Sequence, residues 1–294
     1  RRRHARARAR AHLLLQLAEV MVSDSLQSCM RATLLTFNYC YSYFGEDYKP
    51  ALGFANRLGV EVFSLQGSGR YFMPNHPLIR VINTFSRFEH TRSLETGKMQ
   101  TENLTWVPLN INTNQSDQMR IGITRNREGL EQDFTISPGV TIPAGTYSYV
   151  DANIQVSMAD QRVFSPSMQL ASGEFYNGDR KRANFGLSWR PDEHFYFSTS
   201  YDYQDIKLPA GDFKVKLISG NANYAFNSKW SWVNLVQYDN ASSSVGLNSR
   251  LRWNPKAGED LFFVINYNFD SEGVFSHLSS ETAEIALKYT KTFR

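Results

Sequence analysis

The residues that could do chemistry are spread thinly along this chain of 294 residues. Two carboxylate pairs stand out, Glu174 with Asp179 and Asp202 with Asp205. Glycoside hydrolysis needs two acids ~5–10 Å apart with separately tuned acidity. Both pairs, however, fall in a polar loop or at a strand end, where carboxylates stay solvated. The histidines are scattered: His76 and His277 fall in expected loops, His90 and His194 near strand ends. A Ser–His–Asp triad is a matter of geometry that residue counts cannot supply, and no GxSxG, HExxH or phosphate-loop pattern occurs. Asp239-Asn240, followed by Ala-Ser-Ser-Ser, reads as a turn rather than a calcium loop, because Asp and Asn side chains bond their own backbone. No catalytic, cofactor-binding or metal-ligating residue is assigned, and no cofactor is expected.

The more telling polar residues are charges on one side of alternating segments. Arg182 and Arg190 lie on the polar side of one such segment, and Arg250 and Arg252 on that of another. Asp202 and Glu284 hold equivalent places elsewhere. Facing lipid, each arginine would cost about 2–4 kcal/mol, so in a membrane all of them must face a lumen. There they would either knit the interior with acids such as Glu284, Asp202 and Asp260, or line a pore that favours anions.

Strands must position these residues. From about Leu34 onward, segments of some ten residues alternate in polarity and are separated by turn formers. Ala183, Phe185, Leu187 and Trp189 alternate with polar neighbours, as do Val245, Leu247, Leu251 and Trp253. Fourteen strands are predicted, over 34–44, 59–72, 79–92, 99–111, 117–127, 146–158, 162–171, 181–190, 194–205, 212–226, 229–239, 244–254, 260–270 and 282–293. A phase slip near Leu217-Ile218 suggests a bulge, and 229–239 is mixed on both faces. Alternate connections are compact (NTNQSD, ADQ, RPDE, NSK, NPKAGED), whereas 128–145, 172–179, the stretch around Leu208 to Gly211 and 271–280 are expected to form long loops. PALGF (50–54) and IPAGTY (142–147) lie on the long-loop side, where they either pack as a cap or plug or serve in recognition. Tyr147, Tyr149, Trp189, Trp230, Trp232 and Trp253 sit near strand ends, as interfacial aromatics do.

This reading is of an all-β chain, an antiparallel transmembrane β-barrel of about fourteen strands with short turns on a periplasmic rim. The alternative is a soluble sandwich or propeller, which alternation alone also fits. No apolar run reaches the ~18 residues of a spanning helix, but barrel strands show lipid only every second residue. The final segment, ETAEIALKYTKTFR, sets Ala283, Ile285, Leu287, Tyr289 and Phe293 on one face. Leu287, Tyr289 and Phe293 form a candidate assembly signal for the barrel-assembly machinery. This last strand should pair with 260–270 and, across the seam, with the first strand near 34–44.

Residues 1–30 do not match the rest. They begin RRRHARARARAH and carry six Arg against one Asp and one Glu, which accounts for the whole formal charge of +4. Residues 31–294 are neutral overall, so no basic patch marks the body as a nucleic-acid binder. The segment imitates an export signal ahead of Cys29, but Glu19 and Asp24 interrupt the required apolar core. It is read as atypical and outside the fold, with the barrel domain over 31–294. Cys29 and Cys40 are read as incidental thiols.

GEDYKPALGFANR (45–57), TIPAGTYSY (141–149), GEFYNGDR (173–180), the stretch from Leu235 to Asp270 and LKYTKTFR (287–294) resemble an outer-membrane family of Gram-negative bacteria. Its members carry an N-terminal module similar to family-9 carbohydrate-binding modules, followed by a large uncharacterised barrel domain. The resemblance covers about residues 34–294, the barrel half alone, and brings no catalytic residues with it. It implies the C-terminal portion of a longer outer-membrane protein, serving transport or the anchoring of a periplasmic carbohydrate-binding-like module. The alternative it implies is a membrane-associated hydrolase whose chemistry sits in that module. Outer-membrane lipid and the assembly machinery are the expected partners, and glycans a further candidate.

Overall fold

The computed structural model of the protein describes residues 20–22, 25–32, 36–49, 57–271 and 279–292. The strands are β1 (Val20–Val22), β2 (Ser25–Ala32), β3 (Thr36–Phe44), β4 (Val60–Phe72), β5 (Ile79–Ser93), β6 (Met99–Thr113), β7 (Gln118–Leu130), β8 (Phe134–Ser137), β9 (Val140–Ile142), β10 (Gly145–Ser157), β11 (Phe164–Phe175), β12 (Gly178–Trp189), β13 (Phe195–Leu208), β14 (Gly211–Ala225), β15 (Trp230–Asp239), β16 (Ser244–Lys256), β17 (Glu259–Asp270) and β18 (Ser279–Lys291). β8 and β9 pair as a separate hairpin, and all the others form one antiparallel sheet in chain order, β7 passing directly to β10. Each of the fourteen predicted strands is present, as β3 to β7 and β10 to β18. Among the described residues nothing pairs β18 with β1, β2 or β3, so the sheet has two edges. No helix there is long and apolar enough to cross a membrane, which says nothing about strands.

The pairing registers give the sheet two unlike faces. One row of cross-strand partners runs Arg70, Asn83, Asn110, Arg120, Gln155, Gln169, Asn184, Asp202, Leu217, Asp239, Ser244, Asp270. The adjacent row, on the opposite face, runs Tyr71, Ile82, Ile111, Met119, Val156, Met168, Phe185, Tyr201, Ile218, Tyr238, Val245, Phe269. Side chains alternate across a strand, so a period-two sequence makes the first of these rows mainly polar and the second apolar from β4 to β17. Large apolar side chains on the second face stay open to the surroundings: Phe185 is 44% exposed, Trp232 44% and Leu287 71%.

The strands are strongly staggered. Arg70 lies two residues before Phe72, the end of β4, whereas Asp270, in the same row, lies eleven residues after Glu259, the start of β17. At ~3.3 Å per residue and ~4.8 Å between strands, this drift over eleven strand steps is a slope of about 30°.

Several expectations change. Residues 1–30 are not wholly apart from the fold, because β2 pairs with β3 and β1 with β2; the Arg/Ala-rich stretch itself lies outside the described residues. β2 therefore takes the edge of β3 that the last strand was expected to occupy, while β18 does pair with β17. Cys40 is disulfide-bonded rather than a free thiol, and its register partner on β2 is Cys29, the chain's other cysteine. Finally, two connections expected to be long are two-residue turns, Tyr176-Asn177 and Pro209-Ala210, because their strands continue past the apolar zone.

The slip at Leu217-Ile218 is not a bulge, since the pairing of β14 with β13 is unbroken from Phe195 to Leu208. Polarity inverts instead. Beyond Ile218, towards the long-loop end, the face that was apolar carries rows of alternating charge, Lys181–Asp205–Lys214 and Asp179–Lys207–Asp212. The opposite face there turns apolar, with Phe175, Ile206 and Leu208 buried. The recorded register shifts are elsewhere, one of them between Trp106 and Leu109, where Pro108 cannot donate to the ladder.

Candidate functional site

The inverted zone is where the protein builds its one buried cluster among the described residues. The β8–β9 hairpin folds against the polar-row side of the sheet and sets Val140 and Ile142 onto Tyr149, Phe175, Ile206 and Leu208. Ile142 is 1% exposed, so IPAGTY is a packing segment; PALGF lies outside the described residues. Tyr147 and Tyr149 point into this cluster and are not girdle aromatics. Two glycines allow close approach between strands beneath the cluster: a Cβ at Gly173 would strike the backbone of Asp151 on β10, and one at Gly178 the carbonyl of Lys207 on β13.

A polar knot lies inside the cluster. Glu128 accepts hydrogen bonds from the Tyr149 hydroxyl at 2.8 Å and the Tyr176 hydroxyl at 2.7 Å. Arg180 donates to Asp151 at 3.2 Å, and its guanidinium lies 4.3 Å from the centre of the Phe175 ring. Tyr176 occupies the tight turn with φ of 52°, a left-handed conformation that costs a non-glycine residue roughly 1–3 kcal/mol. Burial, then the bond to Glu128, pushes its phenol well above the ordinary tyrosine range. Both Glu128 oxygens are thus occupied by donors that hold their protons, which suits a structural tie and not a general base.

The predicted site residues are brought to one face but not to one point. Arg182, Asp202, Arg250, Arg252 and Glu284 all share the face of the polar row by register, and Arg190 follows β12 directly. Arg252 pairs with Asp260 at 2.7 Å. Asn184 donates to Asp202 at 3.2 Å, and Asn266 to Glu284 at 3.4 Å. Arg190 donates to the Asp160 carbonyl at 3.0 Å and lies 5.0 Å from the Tyr196 ring. Arg182 and Arg250 have no ion pair among the described residues. Of the assembly-signal residues, Leu287 and Tyr289 face away from these charges, and Phe293 lies outside the described residues.

The carboxylate pairs do not form a catalytic site. Asp202 and Asp205 occupy opposite faces, and Glu174 and Asp179, though cross-strand partners, are both exposed. Asp239 accepts from the Ala241 amide at 2.8 Å, as a turn should. No group of three His, Cys, Asp or Glu side chains able to hold a metal is found among the described residues.

The apolar face carries aromatic borders. At the short-turn end, Phe164, Trp189, Phe195, Tyr224 and Phe226 form a continuous chain of ring contacts 4.8–6.5 Å apart, and Trp230 stacks on Trp253 at 5.6 Å. Towards the other end, Tyr39 meets Phe63 and Phe63 meets Phe88, and Tyr201 stacks with Tyr203. Where β15 reads as mixed, Asn234 and Ser249 lie on the apolar face and satisfy each other at 2.8 Å, with Trp232 donating to Ser249 at 2.9 Å. No family model matches the chain, and no curated protein matches it.

Proposed function

We propose that this chain is the β-barrel domain of a Gram-negative outer-membrane protein, the C-terminal portion of a longer chain. It serves transport or the anchoring of a periplasmic carbohydrate-binding-like module. The observation that carries this reading is the unbroken apolar row from Tyr71 to Phe269 backed by a polar row one residue away. A soluble sheet buries its apolar face, whereas here Tyr71, Phe185, Trp232 and Leu287 on that face stay open, and aromatics border it. Phe195 and Tyr203 lie eight residues apart on β13, ~26 Å along the strand at ~3.3 Å per residue and ~23 Å in height at a slope of about 30°, near the ~25 Å apolar band of outer-membrane barrels. The slope of about 30° approaches the ~35–45° tilt of closed barrels. Closure is required in this reading, because hydrocarbon does not tolerate unpaired strand edges. The disulfide at Cys40 fits an oxidising compartment such as the periplasm.

The test is refolding of the full chain into detergent and then into planar bilayers. Membrane insertion, with migration on a gel that changes on heating, supports the barrel; a chain that folds as a soluble monomer without detergent overturns it. Conductance from the inserted barrel supports transport, and a folded but silent barrel overturns it.

A further inference from the structure

The polar face is not uniform. From β4 to β13 its central row is made of amides, arginines and one aspartate. On β15 to β18 it changes. One row there runs Val233, Arg250, Val264, Ala286, and the next, towards the short turns, runs Ser231, Arg252, Phe262, Lys288. Val233, Val264 and Phe262 thus bring apolar side chains together beside Arg250, on a stretch of the polar face separate from the buried cluster.

The charges in this patch are unbalanced. Arg252 is held by Asp260, which also accepts from Asn254 at 3.0 Å. Arg250 meets no carboxylate among the described residues; its guanidinium lies 5.7 Å from the centre of the Phe262 ring. Lys288 likewise has no ion pair there, and the nearest acid on its strand, Glu284, interacts with Asn266. Strand spacing puts the Arg250 and Lys288 backbones about 12 Å apart, a gap that two long side chains can close around one head group. Apolar surface beside two unmatched cations complements a molecule with an apolar tail and a negative head.

We propose that this patch of β15–β18 binds amphipathic anions, a carboxylate head on a short aliphatic chain, with Arg250 and Lys288 on the head and Val233, Val264 and Phe262 on the tail. It depends on the barrel reading only in treating the polar face as a lumen wall.

The experiment is saturation-transfer NMR on the full chain with hexanoate, hexanol and hexylammonium as probes. It is run in zwitterionic nanodiscs if the chain inserts and in buffer if it proves soluble, so that loss of the barrel and loss of the site are read separately. Hexanoate should bind about tenfold more tightly than either other probe, and R250Q/K288Q should abolish that preference. R250K should retain it, and Val264→Asn should weaken hexanoate without restoring hexylammonium. Equal binding of hexanol and hexanoate overturns the proposal, as does a double variant that binds hexanoate like the parent. Absence of saturable hexanoate binding to a folded chain also overturns it, and leaves the patch as a seat for another segment of the protein.

Discussion

Arg162 grips Asp117 through two hydrogen bonds, Nε to Oδ1 at 3.1 Å and Nη2 to Oδ2 at 2.7 Å. The contact joins the turn between β6 and β7 to the turn between β10 and β11, and the Ala159 amide adds a third donor to the same carboxylate at 3.0 Å. Arg162 also donates to the Gln115 side chain at 2.6 Å. The next turn is drawn in when Arg190 donates to the Asp160 carbonyl. Short turns, with few contacts of their own, are fixed here by one another.

Asp117 therefore carries a pH dependence of known sign. The bond from Arg162, then that from Ala159, holds its carboxyl below the ordinary range. A folded-state value below the unfolded one contributes stability above the unfolded value and loses it as pH falls through the folded one. The heat-induced change in gel migration should shift to lower temperature on acidification below the ordinary carboxylate range. Asp117→Asn should flatten this acid response and lower the transition at neutral pH; an unchanged acid limb in that variant would remove Asp117 from the account.

Glu128 should matter to the stability of the long-loop end of the sheet, where it accepts from two tyrosines. Glu128→Leu leaves the Tyr149 and Tyr176 hydroxyls without their acceptor, and each buried unmatched group costs about 1–3 kcal/mol. Tyr176 adds an alkaline signature: its folded-state phenol is raised, so its contribution is complete below the ordinary tyrosine range and fades as pH rises beyond it. Limited proteolysis between β7 and β10 should accelerate in Glu128→Leu, and in the parent above that range. Equal protection in parent and variant would mean that the apolar contacts of Val140 and Ile142 alone hold the hairpin.

Neighbouring residues on β12 separate a membrane sheet from a soluble one. Phe185 is 44% exposed on the apolar face, and Asn184 lies one residue away on the other. If the apolar face meets lipid, Phe185→Arg costs about 2–4 kcal/mol near the midplane, whereas Asn184→Arg on a watered lumen costs little. In water the order would reverse, since an exposed Phe gives way to Arg at little cost. Denaturant titration of the two variants in lipid decides, and a silent Phe185→Arg would count directly against the barrel.

The strands were legible because period-two alternation repeats from Thr36 to Lys291 with turn formers between, and a local rule sufficed. Tyr147 and Tyr149 were misplaced because their ring types match a girdle, although alternation along their own strand already sets them on the face opposite Val150, Ile154 and Val156. The slip at Leu217 was visible, but its cause was not: a bulge and an inversion of polarity look alike in one strand and differ only against β13. Glu128, Tyr176 and Asp151 drew no notice because they lie in three separate segments and carry no motif. The same holds for Arg250 beside Val233 and Val264, an arrangement that exists only across three strands. The apolar residues Phe134, Ile136, Val140 and Ile142, spaced two apart on either side of Pro138-Gly139, were the available hint of a packed hairpin.

The edge at β3 makes the last prediction. β2 pairs with β3 along its length from Ser25–Phe44 to Ala32–Phe37, with Cys29 opposite Cys40. Peptide mapping without reduction should find Cys40 linked to Cys29, and Cys40 should resist alkylation until reductant is added. Such a cross-link contributes about 2–4 kcal/mol, so Cys40→Ser should lower the folding midpoint by a measurable step. More informative is a chain that begins at Thr33. If β2 is the strand that meets β18 across the seam, directly or through β1, its removal leaves two edges to find each other at a new register, and the refolded yield should drop sharply. If β18 instead pairs with β3 in lipid, β2 is an outlying flap, and the shortened chain should refold as well as the parent. A nitroxide on Ser42 and another on Ala286 would then report the shortened distance directly, which tells the two seams apart without reference to yield.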